Sequence, residues 1–171
     1  MNIRMAAVLA AIIIISACNN DKEHGVFRRK PGSNEIAGVN SYLIEKDRER
    51  IRNFAERKNL DLKETGSGLW YLIRKEGRGN LFKDHDLVKM VYSCYLLDGT
   101  PCYSSDKSGQ KELILGKSEM EAGMNEGLRM LRPGGEAVFV MPPFLAYGLL
   151  GDNKAIPPRA TIVYEIKVAE K

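Results

Sequence analysis

The segment that decides the fold runs from residue 142 to 159 and reads PPFLAYGLLGDNKAIPPR. It separates two segments, residues 136–141 and 161–169, in which Val, Ile and aromatic residues alternate as they do in β-strands. Eighteen residues without a regular pattern form a long connection, and such loops in compact domains usually carry function. The long loop, as we call residues 142–159, would bring apolar groups and one phenol to a surface cleft: Phe144, Leu145, Ala146, Tyr147, Ile156, Pro157 and Pro158.

The sequence before the long loop predicts further strands and one short helix. Strands are predicted at residues 61–64, 68–74, 87–97 and 111–115. Asp98-Gly99 predicts a hairpin turn after the third of these strands. A helix is predicted over residues 119–130, where Met and Leu recur on one face. Together these elements predict an antiparallel sheet with one short helix against it, an α+β domain over residues 60–171.

A longer helix is predicted over residues 35–59, before the sheet. Asn34 is suited to cap its start, while Asp47 interrupts its apolar stripe. The stripe consists of residues at roughly helical spacing: Ile36, Val39, Leu43, Ile51 and Phe54. Such a helix either packs on the following domain or acts as a spacer, or it pairs with a second copy in a dimer. The packed or spacer role is the favoured interpretation.

The first 34 residues have the layout of an exported lipoprotein. A positive start is followed by an apolar run over residues 5–15, which is shorter than the roughly 20 residues of a membrane-spanning helix. The ending Ile15-Ser16-Ala17-Cys18 resembles the bacterial lipobox, which implies diacylation of the Cys18 thiol before cleavage. Residues 1–17 are therefore predicted to be a signal peptide and residues 18–34 a flexible tether. The alternative is an ordinary signal peptide in which Cys18 is incidental.

The residues behind Cys18 bear on where the protein is anchored. Asn19 stands where an Asp is associated with retention in the inner membrane of well-studied Gram-negative systems. We therefore predict a lipid anchor in the outer membrane, on the periplasmic side. Asp21 and Glu23 leave export to the cell surface open, because acidic residues close behind the lipidated Cys can mark it in some bacteria.

Charge and residue composition argue against several classes of function. The 26 basic and 22 acidic residues are interspersed, without a basic stripe, so nucleic-acid binding is not predicted. His24 and His85 stand apart from any Cys/His cluster, so neither a metal site nor a cofactor is predicted. Cys94 and Cys102 flank the predicted hairpin turn. In an exported protein they form either a disulfide across the hairpin or two buried thiols.

Seven short blocks, in order along residues 60–171, resemble the FKBP-type peptidyl-prolyl isomerases, the macrolide-binding immunophilins. The blocks are Lys89-Met90-Val91-Tyr92, Leu97-Asp98-Gly99-Thr100, Leu115-Gly116-Lys117, Gly123-Met124-Asn125-Glu126-Gly127-Leu128, Pro133-Gly134-Gly135-Glu136-Ala137, Ala146-Tyr147-Gly148 and Ala155-Ile156-Pro157-Pro158-Arg159-Ala160-Thr161. With its lipobox and preceding helix, the whole chain resembles the gliding-motility-associated FKBP-type lipoproteins of Bacteroidetes.

The resemblance implies a fold, a reaction and a set of site residues. The fold is an antiparallel sheet curled around one helix, and the reaction is cis/trans isomerisation of Xaa-Pro bonds in exported polypeptides. Three residues are implied to contact the substrate most directly: the Tyr147 hydroxyl, which donates to a substrate carbonyl, the Ile156 backbone amide and Tyr92. The implied pocket also contains Tyr164 on a wall, Met124 on the floor, Met120 and Glu121 in place of an aliphatic pair on the rim, and Phe139 beneath.

The chain departs from the family pattern beside this pocket. Cys102 and Tyr103 replace a Phe-Asp pair in the simplest register, whereas a shift by one residue makes Tyr103 the aromatic wall. Lys111 stands where relatives often carry Phe. A less aromatic pocket predicts weak macrolide binding. Two functions follow: a membrane-anchored isomerase that assists the folding of exported proteins, or a binding and chaperone module that keeps the fold but catalyses little.

Overall fold

The computed structural model describes residues 32–170, leaving out the side chains of residues 33–36. The predicted signal peptide, the predicted lipidation site Cys18 and almost all of the predicted tether lie outside the described residues. No helix in the described part is long and apolar enough to cross a membrane.

The helices and strands follow one another in a simple order. They are α1 Ser33–Lys58, β1 Lys63–Glu64, β2 Trp70–Lys75, β3 Leu87–Leu96, β4 Pro101–Ser104, α2 Ser105–Ser108, β5 Lys111–Ile114, α3 Ala122–Leu128, β6 Glu136–Met141, a 3₁₀ turn Pro143–Leu145 and β7 Ile162–Val168. The elements from β1 onward match the predicted α+β domain, and α1 matches the predicted helix before it.

The seven strands form one antiparallel sheet in the order β1-β2-β6-β7-β3-β4, with β5 also paired to β3. Strand β3 joins the halves of the sheet, because it pairs with β7 along one edge and with both β5 and β4 along the other. The Asp98-Gly99 turn is closed by backbone hydrogen bonds between Leu96 and Thr100 and between Gly99 and Leu96, 2.9 Å each. The predicted antiparallel architecture is confirmed.

Strand β6 is apolar from Ala137 to Met141 because both of its faces are covered there. Ala137, Phe139 and Met141 lie in the main core with α3, whereas Val138 and Val140 belong to a second apolar cluster on the opposite face. Successive residues of a strand point to opposite faces, so an uninterrupted apolar run requires a cover on each side. The candidate site described below lies within the main core.

Helix α1 covers the second apolar cluster, on the face of the sheet opposite the main core. Ile51 and Phe54 are fully buried, in one cluster with Trp70 of β2 and Val163 of β7. The C-terminal half of α1 thus packs on the domain, as the favoured interpretation predicted. Toward its N-terminal end, Tyr42 remains 65% exposed.

The acid that interrupts the apolar stripe of α1 has a partner in the long loop. Asp47 is buried, and the Arg159 guanidinium donates to its Oδ2 at 3.3 Å. Burial raises the pKa of Asp47, although the positive charge of Arg159 opposes that shift. The interruption in the sequence pattern therefore marks a contact between α1 and the end of the long loop.

Two local predictions differ from the structure. Strand β4 and the short helix α2 were not predicted, because this segment has little strand pattern of its own and β4 forms by pairing with β3. Helix α3 is shorter than the predicted 119–130. Glu121, with φ −59° and ψ 141°, is extended, and tight i→i+3 bonds follow at Arg129 and Met130. Met120 and Glu121 consequently precede the helix.

Candidate active site

The first half of the long loop is a compact turn that holds Tyr147. The amide of Ala146 donates to the Pro143 carbonyl at 3.1 Å, and the amide of Gly148 donates to the same carbonyl at 2.8 Å. Gly148 has a φ of +64°, a left-handed conformation that favours glycine. Tyr147 is therefore held between two residues whose amides bind one oxygen, and its side chain is half-buried.

The second half of the long loop is organised by Asp152. Its Oδ1 accepts hydrogen bonds from the backbone amides of Lys154 at 2.9 Å and Ile156 at 2.8 Å. Its Oδ2 accepts the Tyr103 hydroxyl of β4. Burial alone would raise the pKa of Asp152, but the hydrogen bonds from Tyr103 and the two amides outweigh it and lower the pKa. One carboxylate thus shapes this half of the loop and ties it to the sheet.

Nearly all the predicted site residues lie in one apolar cluster. Four are buried: Met124, Phe139, Ile156 and Tyr164. Five are half-buried and pack against them: Tyr92, Cys102, Tyr103, Met120 and Tyr147. Residues from β3, β4, α3, β6, β7 and the long loop are therefore brought together, with a buried apolar base and a partly exposed border.

Two strands bring a half-buried and a buried tyrosine ring together in this cluster. The rings of Tyr92 on β3 and Tyr164 on β7 have centroids 5.7 Å apart and are tilted by 52°. Lys111 on β5 places its Nζ 5.8 Å from the centroid of the Tyr92 ring. This geometry suits a cation–π contact. Lys111 therefore lies over the face of the Tyr92 ring and adds no aromatic ring of its own to the site.

The floor is positioned by a close approach of α3 to the sheet. A Cβ atom at Gly127 would lie 2.6 Å from the Phe139 ring, so only glycine allows α3 to pack this closely. Met124, one turn earlier on α3, is 1% exposed and lies in the main core. Met124 and Phe139 therefore both lie in the buried base of the cluster, and their predicted roles as the floor and the residue beneath it stay predictions.

Glu121 is a buried acid at the edge of this apolar cluster. The Tyr164 hydroxyl donates to its Oε1 at 2.8 Å. Burial, followed by the negative charge of Glu121, raises the pKa of Tyr164. Burial, followed by the nearby carboxylate of Glu121, also raises the pKa of Tyr147. The Glu121 carboxylate and the Tyr164 phenol thus form a hydrogen-bonded pair inside the site.

A family model described as FKBP-type peptidyl-prolyl cis-trans isomerase matches residues 79–169, more than half of the chain. The chain belongs to this family. A probable FKBP-type peptidyl-prolyl cis-trans isomerase of Haemophilus influenzae is 37% identical over 114 residues, which cover 66% of this chain and 46% of that protein. The chain therefore spans less than half the length of this FKBP-type relative.

Solved FKBP structures share the fold. The crystal structure of FkpA from Escherichia coli matches with a TM-score of 0.61 at 23% identity, covering 97% of this chain and 79% of that one. The N-terminal domain of FKBP42 from Arabidopsis thaliana matches with a TM-score of 0.59 at 24% identity, covering 64% and 91%. These likenesses confirm the predicted FKBP-like fold.

The Ile156 amide is predicted from the FKBP resemblance to hydrogen-bond the substrate, but the Asp152 carboxylate competes for it. This N–H already donates to Asp152, so a substrate would have to displace that bond. The role of the amide in catalysis stays a prediction.

Asp152 itself was not among the predicted site residues. Its only local signal was an Asp two residues before Lys154, a spacing common in turns closed by an Asx side chain.

Both cysteines are free thiols in the structure, Cys94 buried and Cys102 half-buried, and the choice between the two sequence alternatives stays a prediction. Cys94 is buried in β3, and burial raises its pKa to about 12. Burial also raises the pKa of Cys102, whose thiol lies 3.6 Å from the Ala155 carbonyl oxygen. Cys102 and Tyr103 therefore both contact the long loop, whichever of them corresponds to the aromatic wall of other FKBP-type proteins.

Glu121 differs most from its predicted place. An aliphatic position on the rim was expected, but the side chain is buried because the Tyr164 phenol offers its carboxylate a hydrogen-bond donor.

A surface cavity of about 860 Å³, lined by residues 75–83 and by Asp86, Pro133, Gly134 and Glu170, contains none of the predicted site residues. Within residues 32–170, no three His, Cys, Asp or Glu side chains are placed to hold a metal ion.

Proposed function

We propose that this chain catalyses cis/trans isomerisation of Xaa-Pro peptide bonds. The observation that carries the proposal is the position of Tyr147, a phenol held by an ordered turn at the border of a buried apolar base. In this proposal the hydroxyl donates to a substrate carbonyl while the proline ring enters an apolar cleft above Met124. Membership of the FKBP-type family supports the same reaction.

Such a cleft needs no covalent chemistry. The barrier to rotation, about 18–20 kcal/mol, exists because twisting the amide removes its resonance. The planar amide has more charge separation than the twisted one, so surroundings that exclude water disfavour the planar ground state. Interactions that are stronger with the twisted amide lower the barrier. In this proposal the buried residues exclude water, and Tyr147 orients the carbonyl.

The proposed clients are proline-containing polypeptides that have just been exported. Uncatalysed isomerisation takes tens of seconds or longer, which is slow enough to limit their folding. Lipid on Cys18 would keep the domain at the outer membrane, on the periplasmic side, and residues 18–34 would tether it. Weak binding of macrolides belongs to the same proposal, because Cys102 and Met124 make the pocket less aromatic.

Replacing Tyr147 by phenylalanine is expected to lower kcat/KM about tenfold, because one hydrogen bond of about 1–1.5 kcal/mol is lost. The measurement is a protease-coupled assay on Ala-Leu-Pro-Phe peptides, with the chain from residue 18 carrying Cys18→Ser. Tyr95→Phe is the matched control, since the Tyr95 hydroxyl donates to Glu165 on the other face of the sheet. Wild-type protein that accelerates no peptide would rule out the proposed reaction.

A binding module with chaperone activity is a second candidate. Leu149 and Leu150, two and three residues after Tyr147, are 70% and 76% exposed. Neighbouring exposed leucines are suited to contact an unfolded chain. Prevention of aggregation that survives Tyr147→Phe, without isomerase activity in either protein, would favour this function over catalysis.

The anchor is tested separately from the reaction. Cys18→Ala is expected to abolish labelling by radioactive palmitate in cells and to release the protein from the membrane fraction, because about 0.8 kcal/mol of binding is lost per buried methylene of each acyl chain. Cys102→Ala is the control and should label like the wild type. Labelling that persists in the Cys18 variant would exclude the lipoprotein assignment.

A further inference from the structure

The long loop is joined to α1 by an ion pair near the end of the loop. The Arg159 guanidinium donates to the Asp47 carboxylate at 3.3 Å, and among the side chains that the structure describes no other hydrogen bond or ion pair connects α1 with residues 142–159. At the start of the loop, a cavity of about 210 Å³ is lined by residues of both elements, including Ile51 of α1 and Phe144. Packing is incomplete there, so the ion pair is the more specific contact between helix and loop.

The burial of Asp47 makes this contact costly to break. Asp47 is buried, and the Arg50 guanidinium, 3.9 Å from its Oδ1, is half-exposed and belongs to the same helix. A buried carboxylate that loses its counterion bears an uncompensated charge, which is strongly unfavourable. Conformations of the loop in which Arg159 leaves Asp47 are therefore disfavoured.

Arg159 also connects Asp47 to the residue that follows Tyr147. The backbone amide of Arg159 donates to the Gly148 carbonyl at 3.1 Å, so the two halves of the long loop meet at this residue. Arg159 has a φ of +55°, which is unfavourable for a residue with a Cβ and persists only where the surroundings hold it. Its backbone is held by Gly148 and its side chain by Asp47.

The contact between Arg159 and Asp47 bears on Ile156 as well. Pro157 and Pro158 separate Ile156 from Arg159, and each proline ring fixes its own φ. Residues 156–159 consequently have few free torsions, and a displacement of Arg159 would move Ile156. One ion pair with α1 thus restrains both halves of the loop.

We propose that Asp47 is a positioning residue of the isomerase site: through Arg159 it holds the long loop in the conformation that presents Tyr147 and Ile156 to the substrate. This inference rests on the proposed isomerase function. Helix α1 precedes residues 79–169, which the FKBP-type family model matches, so the restraint on the site comes from a part of the chain outside that match.

Replacing Asp47 by asparagine is expected to raise KM for the leucine peptide Ala-Leu-Pro-Phe about fivefold and to leave kcat within about twofold. Without the ion pair the loop presents Tyr147 for only a fraction of the time, and the apparent affinity for substrate falls by that fraction. A merely structural role predicts the opposite pattern. Partial unfolding would reduce the amount of active protein, so kcat would fall and KM would stay unchanged.

Two further variants make the test specific to the pair. Arg159→Gly removes the guanidinium and keeps the left-handed backbone, which glycine adopts without strain, so KM should rise as in Asp47→Asn. The double variant should have the same KM as either single variant, because each change removes the same interaction. Controls are Glu49→Gln, an exposed acid of α1, and Asn153→Gly, an exposed loop residue with a φ of +57°; both should keep the wild-type KM.

The outcomes separate the inference from the function on which it rests. An unchanged KM in both single variants, or effects that multiply in the double variant, overturns the inference and leaves the isomerase intact. If wild type catalyses no peptide, the proposed function fails, and amide hydrogen exchange of residues 142–159 then decides. Faster exchange in Asp47→Asn than in wild type supports the positioning role, and equal exchange overturns it.

Stability is measured alongside by unfolding in urea. Should Asp47→Asn or Arg159→Gly fail to fold, the double variant decides alone, because it leaves neither charge of the pair buried without its partner. A wild-type KM in the folded double variant would overturn the inference, and a KM raised about fivefold would support it.

Discussion

Replacing Phe54 by alanine is expected to lower the free energy of unfolding by about 3–5 kcal/mol. Phe54 is fully buried between α1 and the sheet, in one cluster with Trp70, Val138 and Val163. Truncation removes apolar area from the cluster and leaves a cavity, because the strands on the other side are held by their hydrogen bonds. The measurement is equilibrium unfolding in urea.

Tyr42→Ala is the control for this experiment. It removes an aromatic ring from the same helix at a position that is 65% exposed, so we expect a change within about 0.5 kcal/mol. A small effect at both positions would mean that α1 does not contribute to the stability of the domain. A large effect at Tyr42 alone would instead favour pairing of α1 with a second copy, the alternative that the sequence left open.

Replacing Gly151 by alanine is expected to lower the free energy of unfolding by about 2–4 kcal/mol and to reduce isomerase activity strongly. Gly151 has a φ of +70°, and a Cβ atom there would collide with the carbonyl oxygen of Ile156. The left-handed conformation costs about 1–2 kcal/mol for a residue with a Cβ, and overpacking adds about 1–3 kcal/mol. Relief of the collision would displace Ile156 from the site.

Gly148→Ala separates the cost of the left-handed backbone conformation from the cost of overpacking. Gly148 also has a positive φ, +64°, but no atom lies within 4 Å of the position of its Cβ. This variant should therefore lose only about 1–2 kcal/mol, from the backbone conformation alone. Equal losses at the two glycines would contradict the close packing between Gly151 and Ile156. Unfolding in urea and kcat/KM on the leucine peptide are measured for both variants.

The strands were predictable because their signal is local. In the first half of β3, from Leu87 to Val91, exposed and buried side chains alternate as the strand period predicts, and Asp98-Gly99 marks where the chain turns back. The sequence likewise indicated that α1 is a helix and that residues 142–159 are a functional loop. The resemblance then supplied the site positions, and the structure places nearly all of them in one cluster.

Contacts between distant residues could not be predicted in this way. Asp47 looked like an interruption of an apolar stripe until its partner Arg159, 112 residues away, was known. Asp152 showed no sign of holding Tyr103, which lies 49 residues earlier. A polar residue in a helix or loop carries no local information about the group that will satisfy it, because burial and pairing arise only when the elements pack.

The sequence by itself therefore determined the antiparallel sheet, the helices before it and on it, and the long loop with Tyr147. It determined them because helix and strand periods and turn residues act over a few positions. Tertiary structure alone decided that α1 covers the outer face of the sheet and that Glu121 is buried against the Tyr164 phenol. Glu121 and Tyr164 are 43 residues apart, and only the pairing of β7 with its neighbours, together with the packing of α3, brings the acid and its donor within 2.8 Å.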